Sequence, residues 1–362
     1  MNCYPKLVVY LDRIRENAAK IAEFCHSHGA ESVAVTKVTC ADVYITRAVV
    51  EGMRSAGSGK AAFADSRVLN LEKLKKEFPD VPRTLLRVPM KSELERVVLC
   101  ADSSLVSMVE SVYMIEECCS KSSVNHDVIL MLDLGDRREG VYDEAELPAF
   151  IEAFKRSPHV KLCGVGSNFA CFAGVMPSAE SLNVLCRIRA LLERALSYPV
   201  PIASGGSTSS LIMFELGNIP EGINQLRIGE GFYLGLDVVN NRAVPWLRQD
   251  TLRLEAEVVE VKVKPSLPSG EQGLNAFGEK REFKDEGFQK RVIFAVGRQD
   301  VTIDNLTPGD SDIHIIGGSS DHMIATVPIE RDVQWGDIFS FSMNYAALLP
   351  LTTSLYVSKE YR

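Results

Sequence analysis

The first 240 residues alternate between short apolar runs and longer segments with helical periodicity. The segment 11–28 is typical, because its apolar residues recur at helical spacing and Gly29 follows it. Each apolar run is short and rich in β-branched residues, which indicates a buried strand. The predicted strands are 33–38, 61–65, 84–88, 105–108, 127–134, 161–167, 201–204 and 224–228.

Strands that alternate with helices form parallel β/α units. Eight units over this length predict an α/β fold, a closed (β/α)8 TIM barrel. An open doubly wound sheet is the alternative that the same alternation allows. Two helix starts are also predicted inside this region: Ser66 as an N-cap, and Ser92 with Glu95 as a capping box.

After residue 240 the pattern changes to strands of period two. The run 254–263 alternates apolar and charged residues, which predicts a half-buried strand. Further strands are predicted at 292–296, 313–316, 324–327 and 338–343, bounded by Gly, Pro, Asp and Asn. We therefore expect two domains: a barrel over 8–240, and a β-rich C-terminal domain over 241–362 that includes 1–7.

Charge and cysteine content narrow the class of protein. A net charge of -8 disfavours nucleic acid and anionic membranes as partners, since both attract basic surfaces. The 9 cysteines form no C-x-x-C motif and no clustered spacing with histidine, so we expect reduced thiols and no metal site. The sequence shows no signal-peptide pattern and no apolar run long enough to span a bilayer, so we expect the protein in the cytoplasm.

Lys37 lies at the end of the apolar run 33–38. A desolvated ammonium is costly, so this lysine must reach water, pair with a carboxylate or take part in chemistry. A neutral lysine amine is a nucleophile toward aldehydes. Active sites of β/α barrels lie at the carboxyl ends of the strands, where Lys37 is expected.

Two glycine-rich loops follow the seventh and eighth predicted strands, with the sequences GGSTS (205–209) and RIGEG (227–231). Glycines let the backbone approach an anion, and hydroxyls donate to it. A plain turn is the simpler interpretation of each loop alone. Opposite a strand-end lysine, however, a phosphate site indicates an aldehyde cofactor with a phosphate group, pyridoxal 5'-phosphate.

An ordered set of motifs makes the chain resemble the alanine racemase-like, fold-type III pyridoxal-phosphate enzymes, most of all the ornithine racemase and predicted amino-acid racemase branch. The motifs run from residue 33 to the C-terminus: VAVTKV, FADSR, LDLGDRREG, GVGSNFACF, SGGSTSS, EGINQLRIGE, AVGRQD, SSDH and NYAALL. The resemblance implies a racemase that interconverts L- and D-amino acids by two-base transfer of the α-proton on the external aldimine.

The resemblance also implies roles for individual residues. Lys37 would form the internal aldimine and act as one acid–base group, and Arg227 would face the pyridine nitrogen. Asn168 lies where alanine racemases have a histidine, and Arg138 matches the arginine near the substrate carboxylate. The phosphate would be held by Ser207, Thr208, Gly229 and Tyr345. Two structural alternatives stay open: Arg227 paired with Glu230 or Asp133, and Arg138 as a surface arginine in a charged turn.

The chain departs from the alanine racemase pattern at two tyrosines. Ala41 stands where a tyrosine contacts phosphate, and Phe277 stands where a partner-subunit tyrosine acts as the second base. Phe277 cannot carry a proton, so His322, beside Asp321, is the candidate base, with a structural histidine as the alternative. By family likeness, Asp321 and His322 would enter the site from the other subunit of a homodimer.

The ornithine racemase likeness favours a small-molecule substrate with a cationic side chain, for which Asp136, Glu139 and Asp300 are candidate receivers. Two other functions stay open: a D-threonine aldolase-type lyase, and a non-catalytic pyridoxal-phosphate-binding homeostasis protein. The first lacks its downstream histidine and cysteine here, and the second resembles the barrel alone.

Overall fold

The computed structural model describes residues 3–362, which form two compact units. One unit spans 11–249, and the other combines 250–362 with the N-terminal residues up to Tyr10. The limits expected from the sequence, 8–240 and 241–362 with 1–7, differ at both junctions. The first strand, β1 (Lys6–Val9), pairs with strands of the β-rich unit, and a short hairpin after residue 235 belongs to the barrel unit.

The larger unit is a closed barrel of parallel strands, as the alternating pattern predicted. Closure is made by β2 and β9, which pair in parallel with Ala34 opposite Ile228. The open doubly wound sheet is thereby excluded. The barrel strands are β2 (Glu31–Val35), β3 (Phe63–Asp65), β4 (Arg83–Leu85), β5 (Ser103–Val106), β6 (His126–Leu132), β7 (Val160–Ser167), β8 (Ile202–Ser204) and β9 (Gln225–Ile228).

Helices connect these strands. They are α1 (Leu11–Ser27), α2 (Val43–Ser55), α3 (Val68–Glu77), α4 (Leu94–Cys100), α5 (Val109–Ser122), α6 (Leu147–Lys155), α7 (Ala179–Leu196), α8 (Leu211–Glu215) and α9 (Glu230–Leu234). A hairpin of β10 (Leu236–Asp237) and β11 (Arg242–Ala243) follows. None of the described helices has the length and apolar content needed to cross a bilayer.

Both predicted helix starts are wrong. Helix α3 begins after Arg67 without a side-chain cap. The carboxylate of Asp65, one residue before Ser66, instead accepts the Arg67 N–H at 2.9 Å. Ser92 lies inside a single 3-10 turn, and α4 begins at Leu94 without a side-chain cap. A carboxylate at the end of a strand or a 3-10 turn can replace the expected cap, and the capping motif alone does not reveal this.

The smaller unit is mostly antiparallel β, as its period-two pattern predicted. Besides β1, its elements are β12 (Leu252–Pro265), β13 (Phe288–Phe294), β14 (Leu306–Pro308), β15 (His314–Gly318), β16 (Met323–Val327), β17 (Ile338–Met343), α10 (Tyr345–Thr353) and β18 (Ser358–Tyr361). The main sheet has the order β14-β17-β12-β13-β16-β15, and β1 joins it antiparallel to β12 and parallel to β18. Phe294 packs edge-to-face on Phe339 and Phe341 in the core of this unit.

Candidate active site

Lys37 lies just beyond the barrel wall rather than on it. Strand β2 ends at Val35, and Lys37 is the first residue of a single 3-10 turn that ends at Thr39. The Thr36 hydroxyl donates to the Asp65 carboxylate at 2.7 Å, which ties this turn to the end of the neighbouring strand. Ala41, where the family pattern has a tyrosine, is fully buried with φ of 48°. The tight turn therefore accommodates the alanine and leaves no exposed position for a longer side chain there.

The Lys37 side chain is accessible at its surface but densely surrounded by protein. This combination describes a side chain in a concave site, where water reaches the ammonium without solvating it fully. Burial is the main cause of a lowered pKa for Lys37, and the positive charge of Arg138 acts in the same direction. Within residues 3–362 the ammonium has no hydrogen bond or ion pair. Lys37 is thus a lysine with an increased fraction of neutral amine.

Arg227, on β9, is a buried cation held by neutral acceptors. It is 5% exposed, and its Nη2 donates to the Ser167 carbonyl at 2.8 Å and to Asn168 Oδ1 at 3.1 Å. Its Nη1 donates to the Ser204 hydroxyl. Gly166 makes room for the guanidinium, because a Cβ there would lie 3.1 Å from Nη1. Burial lowers the pKa of Arg227 to about 10, so the group stays charged at neutral pH.

The alternative in which Arg227 pairs with Glu230 or Asp133 is wrong. Glu230 accepts the Val238 N–H at 3.1 Å, and Asp133 accepts the Gly135 and Arg137 N–H groups at 3.0 Å. Both carboxylates are used by their own loops. Among the described residues, Arg227 therefore has no carboxylate partner. It lies at the barrel mouth, the end of the barrel where the carboxyl ends of the strands meet, and its charge is available there to an external acceptor.

Asn168 and Arg138 join Arg227 through one further residue, Glu139. Asn168 Nδ2 donates to Glu139 Oε1 at 3.0 Å, while Asn168 Oδ1 accepts from Arg227. Arg138 donates to both Glu139 oxygens, from Nε and Nη2, at 2.5 Å each. The result is a continuous hydrogen-bonded chain, Arg227–Asn168–Glu139–Arg138. Arg138 thus does lie in a charged turn and has an acidic neighbour, but it also connects to the Arg227 side of the barrel mouth.

The two glycine-rich loops lie side by side after β8 and β9. Thr208 Oγ1 accepts the Gly231 N–H at 3.2 Å, and the Ser207 and Ser209 hydroxyls lie 3.2 Å apart. Gly206 has φ of +112°, and a Cβ there would lie 2.4 Å from Ser210 Oγ, so this turn requires glycine. A Cβ on Gly229 would contact Val35, at the end of β2, at 3.4 Å. The backbone at Gly229 therefore lies beside the strand that leads to Lys37, and the Thr208 hydroxyl contacts the loop that carries Gly229.

Asp136 does not receive a substrate cation, the role predicted for it from the sequence. It is 2% exposed, and its carboxylate accepts four backbone N–H groups of the loop 171–175 at 2.9 to 3.3 Å. A carboxylate with its acceptor positions filled in this way cannot also receive a substrate cation. Asp136 instead fixes the loop that carries Cys171, whose thiol donates to the Phe169 carbonyl at 3.2 Å.

The other two proposed receivers of a cation are also engaged. Glu139 is held by Arg138 and Asn168, as described above. Asp300, in the β-rich unit, is 7% exposed and accepts the Ser354 hydroxyl at 2.6 Å. Arg138 adjoins Glu139 in the sequence, but Asn168 lies 29 residues from Glu139 and Ser354 lies 54 residues from Asp300, so no local pattern reveals those two contacts.

Four candidate residues lie in the β-rich unit. Tyr345 is the first residue of α10, whose N-terminus is capped by Asn344. Phe277 is partly exposed, and the Arg298 guanidinium lies 4.6 Å from its ring centre. Asp321 and His322 are exposed in the turn between β15 and β16.

The turn that carries His322 is well fixed, but Asp321 does not hold the imidazole. Asp321 accepts the Ser320 hydroxyl at 3.0 Å, and no hydrogen bond joins it to His322 within residues 3–362. The turn backbone accepts the Arg298 and Gln299 N–H groups at 2.9 and 3.0 Å. A Cβ at Gly297 would lie 2.1 Å from the Ser320 carbonyl oxygen, so the AVGRQD motif needs this glycine to hold the turn.

Known proteins align with nearly the whole length of this chain. The lysine racemase of Thermotoga maritima is 41% identical over 358 residues, which cover 99% of this chain and 98% of that protein. The ornithine racemase of Acetoanaerobium sticklandii is 37% identical over 358 residues, which cover 99% of each chain. The solved alanine racemase of Bacillus anthracis with bound L-Ala-P superposes with a TM-score of 0.75 at 17% identity, over 100% of this chain and 96% of that one.

Because the solved structure shares only 17% sequence identity with this chain, the superposition supports the fold alone. The family described as alanine racemase, N-terminal domain, matches residues 9–237, which include every strand of the barrel. The match therefore covers more than half of the chain, and the resemblance inferred from the ordered motifs is confirmed. This chain belongs to the alanine racemase N-terminal domain family.

Proposed function

We propose that this protein is an amino-acid racemase that uses pyridoxal 5'-phosphate and acts on a basic amino acid such as lysine or ornithine. The observation that carries the proposal is the presence of two cations at the carboxyl ends of the barrel strands. Within residues 3–362, Lys37 has a lowered pKa and no hydrogen-bond or ion-pair partner, and Arg227 is buried with only neutral acceptors. The names of two relatives that align over nearly the whole chain support the reaction and the substrate class.

The residues of the barrel mouth fit this cofactor. Lys37 offers an amine for its aldehyde, and Arg227 offers an N–H donor that stays charged at neutral pH and so would leave a ring nitrogen unprotonated. Gly206 and Gly229 allow close approach of the backbone, and the hydroxyls of Ser207 and Thr208 suit a phosphate. Tyr345 is a further proposed phosphate ligand. When bound, pyridoxal phosphate supplies an electron sink that acidifies the α-hydrogen of an attached amino acid.

The chain's own residues would then move the proton. Lys37 Nζ, with its lowered pKa, accepts the α-proton on one face and returns it there in the reverse direction. Arg138 binds the substrate carboxylate and fixes the orientation of Cα relative to Nζ. A second group must deliver a proton to the opposite face, because inversion cannot be completed from one side.

His322 is the proposed second acid–base group. Imidazole is a common acid–base group in catalysis, and that of His322 is exposed in the β15–β16 turn. Phe277, at the position of the expected tyrosine, has no proton to exchange and stacks against Arg298. In the proposed homodimer, His322 of each protomer completes the site of the other, which would place an acid–base group on each face of the substrate.

The test is chiral analysis and proton NMR of L- and D-amino acids incubated with the holoprotein in D2O. Lysine, ornithine, arginine, alanine and serine form the panel. We expect the opposite enantiomer of lysine or ornithine to appear with deuterium at Cα, at rates well above those for alanine and serine. Deuterium incorporation with full retention of configuration would contradict the racemase proposal, and aldehyde release from β-hydroxy amino acids would favour a lyase.

A further inference from the structure

Glu139 lies at the centre of the barrel-mouth chain, between the two arginines. It accepts from Arg138 Nε and Nη2 at 2.5 Å and from Asn168 Nδ2 at 3.0 Å. These contacts use two of the three guanidinium nitrogens of Arg138. Within residues 3–362, the third nitrogen, Nη1, has no acceptor. Arg138 is thus held along one edge and left open along the other.

We propose that Glu139 is a positioning residue that holds the Nε–Nη2 edge of Arg138, so that Nη1 is presented to the substrate carboxylate. Through Asn168, the same carboxylate also sets the position of Arg227. The inference rests on the proposed function, because it assigns a task to the residue beside the substrate-binding arginine.

The chemistry of the contacts requires a carboxylate at position 139. Glu139 Oε1 receives two donors at once, one from Arg138 and one from Asn168, and Oε2 receives a third. An arginine offers only donors, so every atom that faces it must accept. A glutamine would replace one accepting oxygen by an NH2 group and would turn that group toward a guanidinium or toward the Asn168 amide.

The orientation of the Asn168 amide depends on Glu139 as well. Arg227 can only donate, so the Asn168 oxygen must face Arg227 and the Asn168 nitrogen must face an acceptor. Glu139 is that acceptor. Loss of its negative charge would leave the Asn168 NH2 without its partner and weaken the restraint on Arg227. A single carboxylate therefore connects the residue proposed for the substrate carboxylate with the one proposed for the cofactor ring.

The balance of charges at the barrel mouth also supports a positioning role for Glu139. Lys37, Arg138 and Arg227 place three cations around the barrel mouth, and Glu139 interacts favourably with all three. The hydrogen bond from Arg138 to Glu139 raises the pKa of that arginine. Asp65, the other carboxylate near Lys37, is fully buried and bound to Thr36 and Asn70. Glu139 thus compensates part of the positive charge and still leaves a net positive site for a substrate carboxylate.

The experiment compares Glu139→Gln with a matched control, Glu144→Gln. Glu144 also accepts a bidentate arginine, Arg187, at 2.9 and 2.5 Å, but that pair lies on the exposed surface. Three quantities are measured on each holoprotein: the Kd of propionate, a carboxylate that cannot react, and the KM and kcat for L-lysine and L-ornithine. Circular dichroism and the Tm verify folding, and Glu139→Asp tests whether restored charge rescues the loss.

For Glu139→Gln we expect the propionate Kd and the KM to rise by roughly 10- to 100-fold, the effect of a lost charged hydrogen-bond partner, with a smaller fall in kcat. Glu139→Asp should recover part of this, and Glu144→Gln should match the wild type. Unchanged propionate Kd and KM in Glu139→Gln, or a loss in kcat alone, overturns the inference. If the wild type shows no Cα exchange in D2O, the proposed function fails instead, and the propionate Kd still decides the role of Glu139.

Discussion

The barrel mouth and the β15–β16 turn differ in how completely each one is assembled in a single chain. In the barrel mouth, Arg227, Asn168, Glu139 and Arg138 already contact one another. In the turn, the backbone is fixed, but the side chains of Asp321 and His322 are exposed, and within residues 3–362 no hydrogen bond joins them. The barrel therefore carries a preorganised set of groups, whereas the turn leaves its two side chains without such an arrangement in the described chain.

The largest effect is expected at Lys37. Lys37→Ala should reduce Cα–H exchange of lysine or ornithine in D2O by about 10³-fold or more, because the acid–base group on one face is lost. Proton NMR of the Cα signal measures the rate. Lys91→Ala is the control, since Lys91 is also an exposed lysine that begins a single 3-10 turn, in the loop after β4. Exchange at the wild-type rate in Lys37→Ala would remove this lysine from the mechanism.

A smaller but more specific effect is expected at His322. His322→Ala should slow racemisation by about 100-fold, while deuterium still enters one enantiomer through Lys37. Because His322 is exposed, the Tm should stay close to that of the wild type. His314→Ala, an exposed histidine on β15, is the control. If His322→Ala racemises the substrate as fast as His314→Ala does, the second base lies elsewhere. The β15–β16 turn would then have no part in the proposed reaction.

The smallest effect concerns a carboxylate on the barrel side. Burial is the main cause that raises the pKa of Glu230 from 4.5 to about 7, and its Oε1 has no hydrogen-bond partner among the described residues. The folded state therefore binds a proton that the unfolded state has released, so stability should fall as pH rises from 4.5 to 7 and then level off.

Glu230→Gln should remove this pH dependence and stabilise the protein at pH 8 by about 2 kcal/mol, with little change near pH 4.5. Urea unfolding at pH 5, 6.5 and 8 measures the free energy. Glu77→Gln, at the exposed end of α3, is the control and should show no such difference. A parallel pH profile for wild type and Glu230→Gln would mean that Glu230 is ionised in the folded protein.

Local pattern was sufficient for the architecture, because periodicity records which face of each element is buried. The predicted runs match the observed strands to within a few residues, and 338–343 matches β17 at both ends. Lys37 was expected on its strand, yet β2 ends two residues earlier. The end of a strand depends on which neighbour continues the ladder, and the pairing of β2 with β3 reaches only Val35.

Residue type and order alone determined the barrel, the β-rich unit and the identity of Lys37, Arg227, Arg138 and Asn168 as candidates. Only the tertiary structure decided what those residues touch. Asn168 meets Glu139 and Arg227 across separations of 29 and 59 residues, and Asp136 meets the loop 171–175 across more than 30. Such contacts follow from the parallel arrangement of the barrel strands, which places the loops after β6, β7 and β9 at one end of the barrel, and no short-range pattern encodes them.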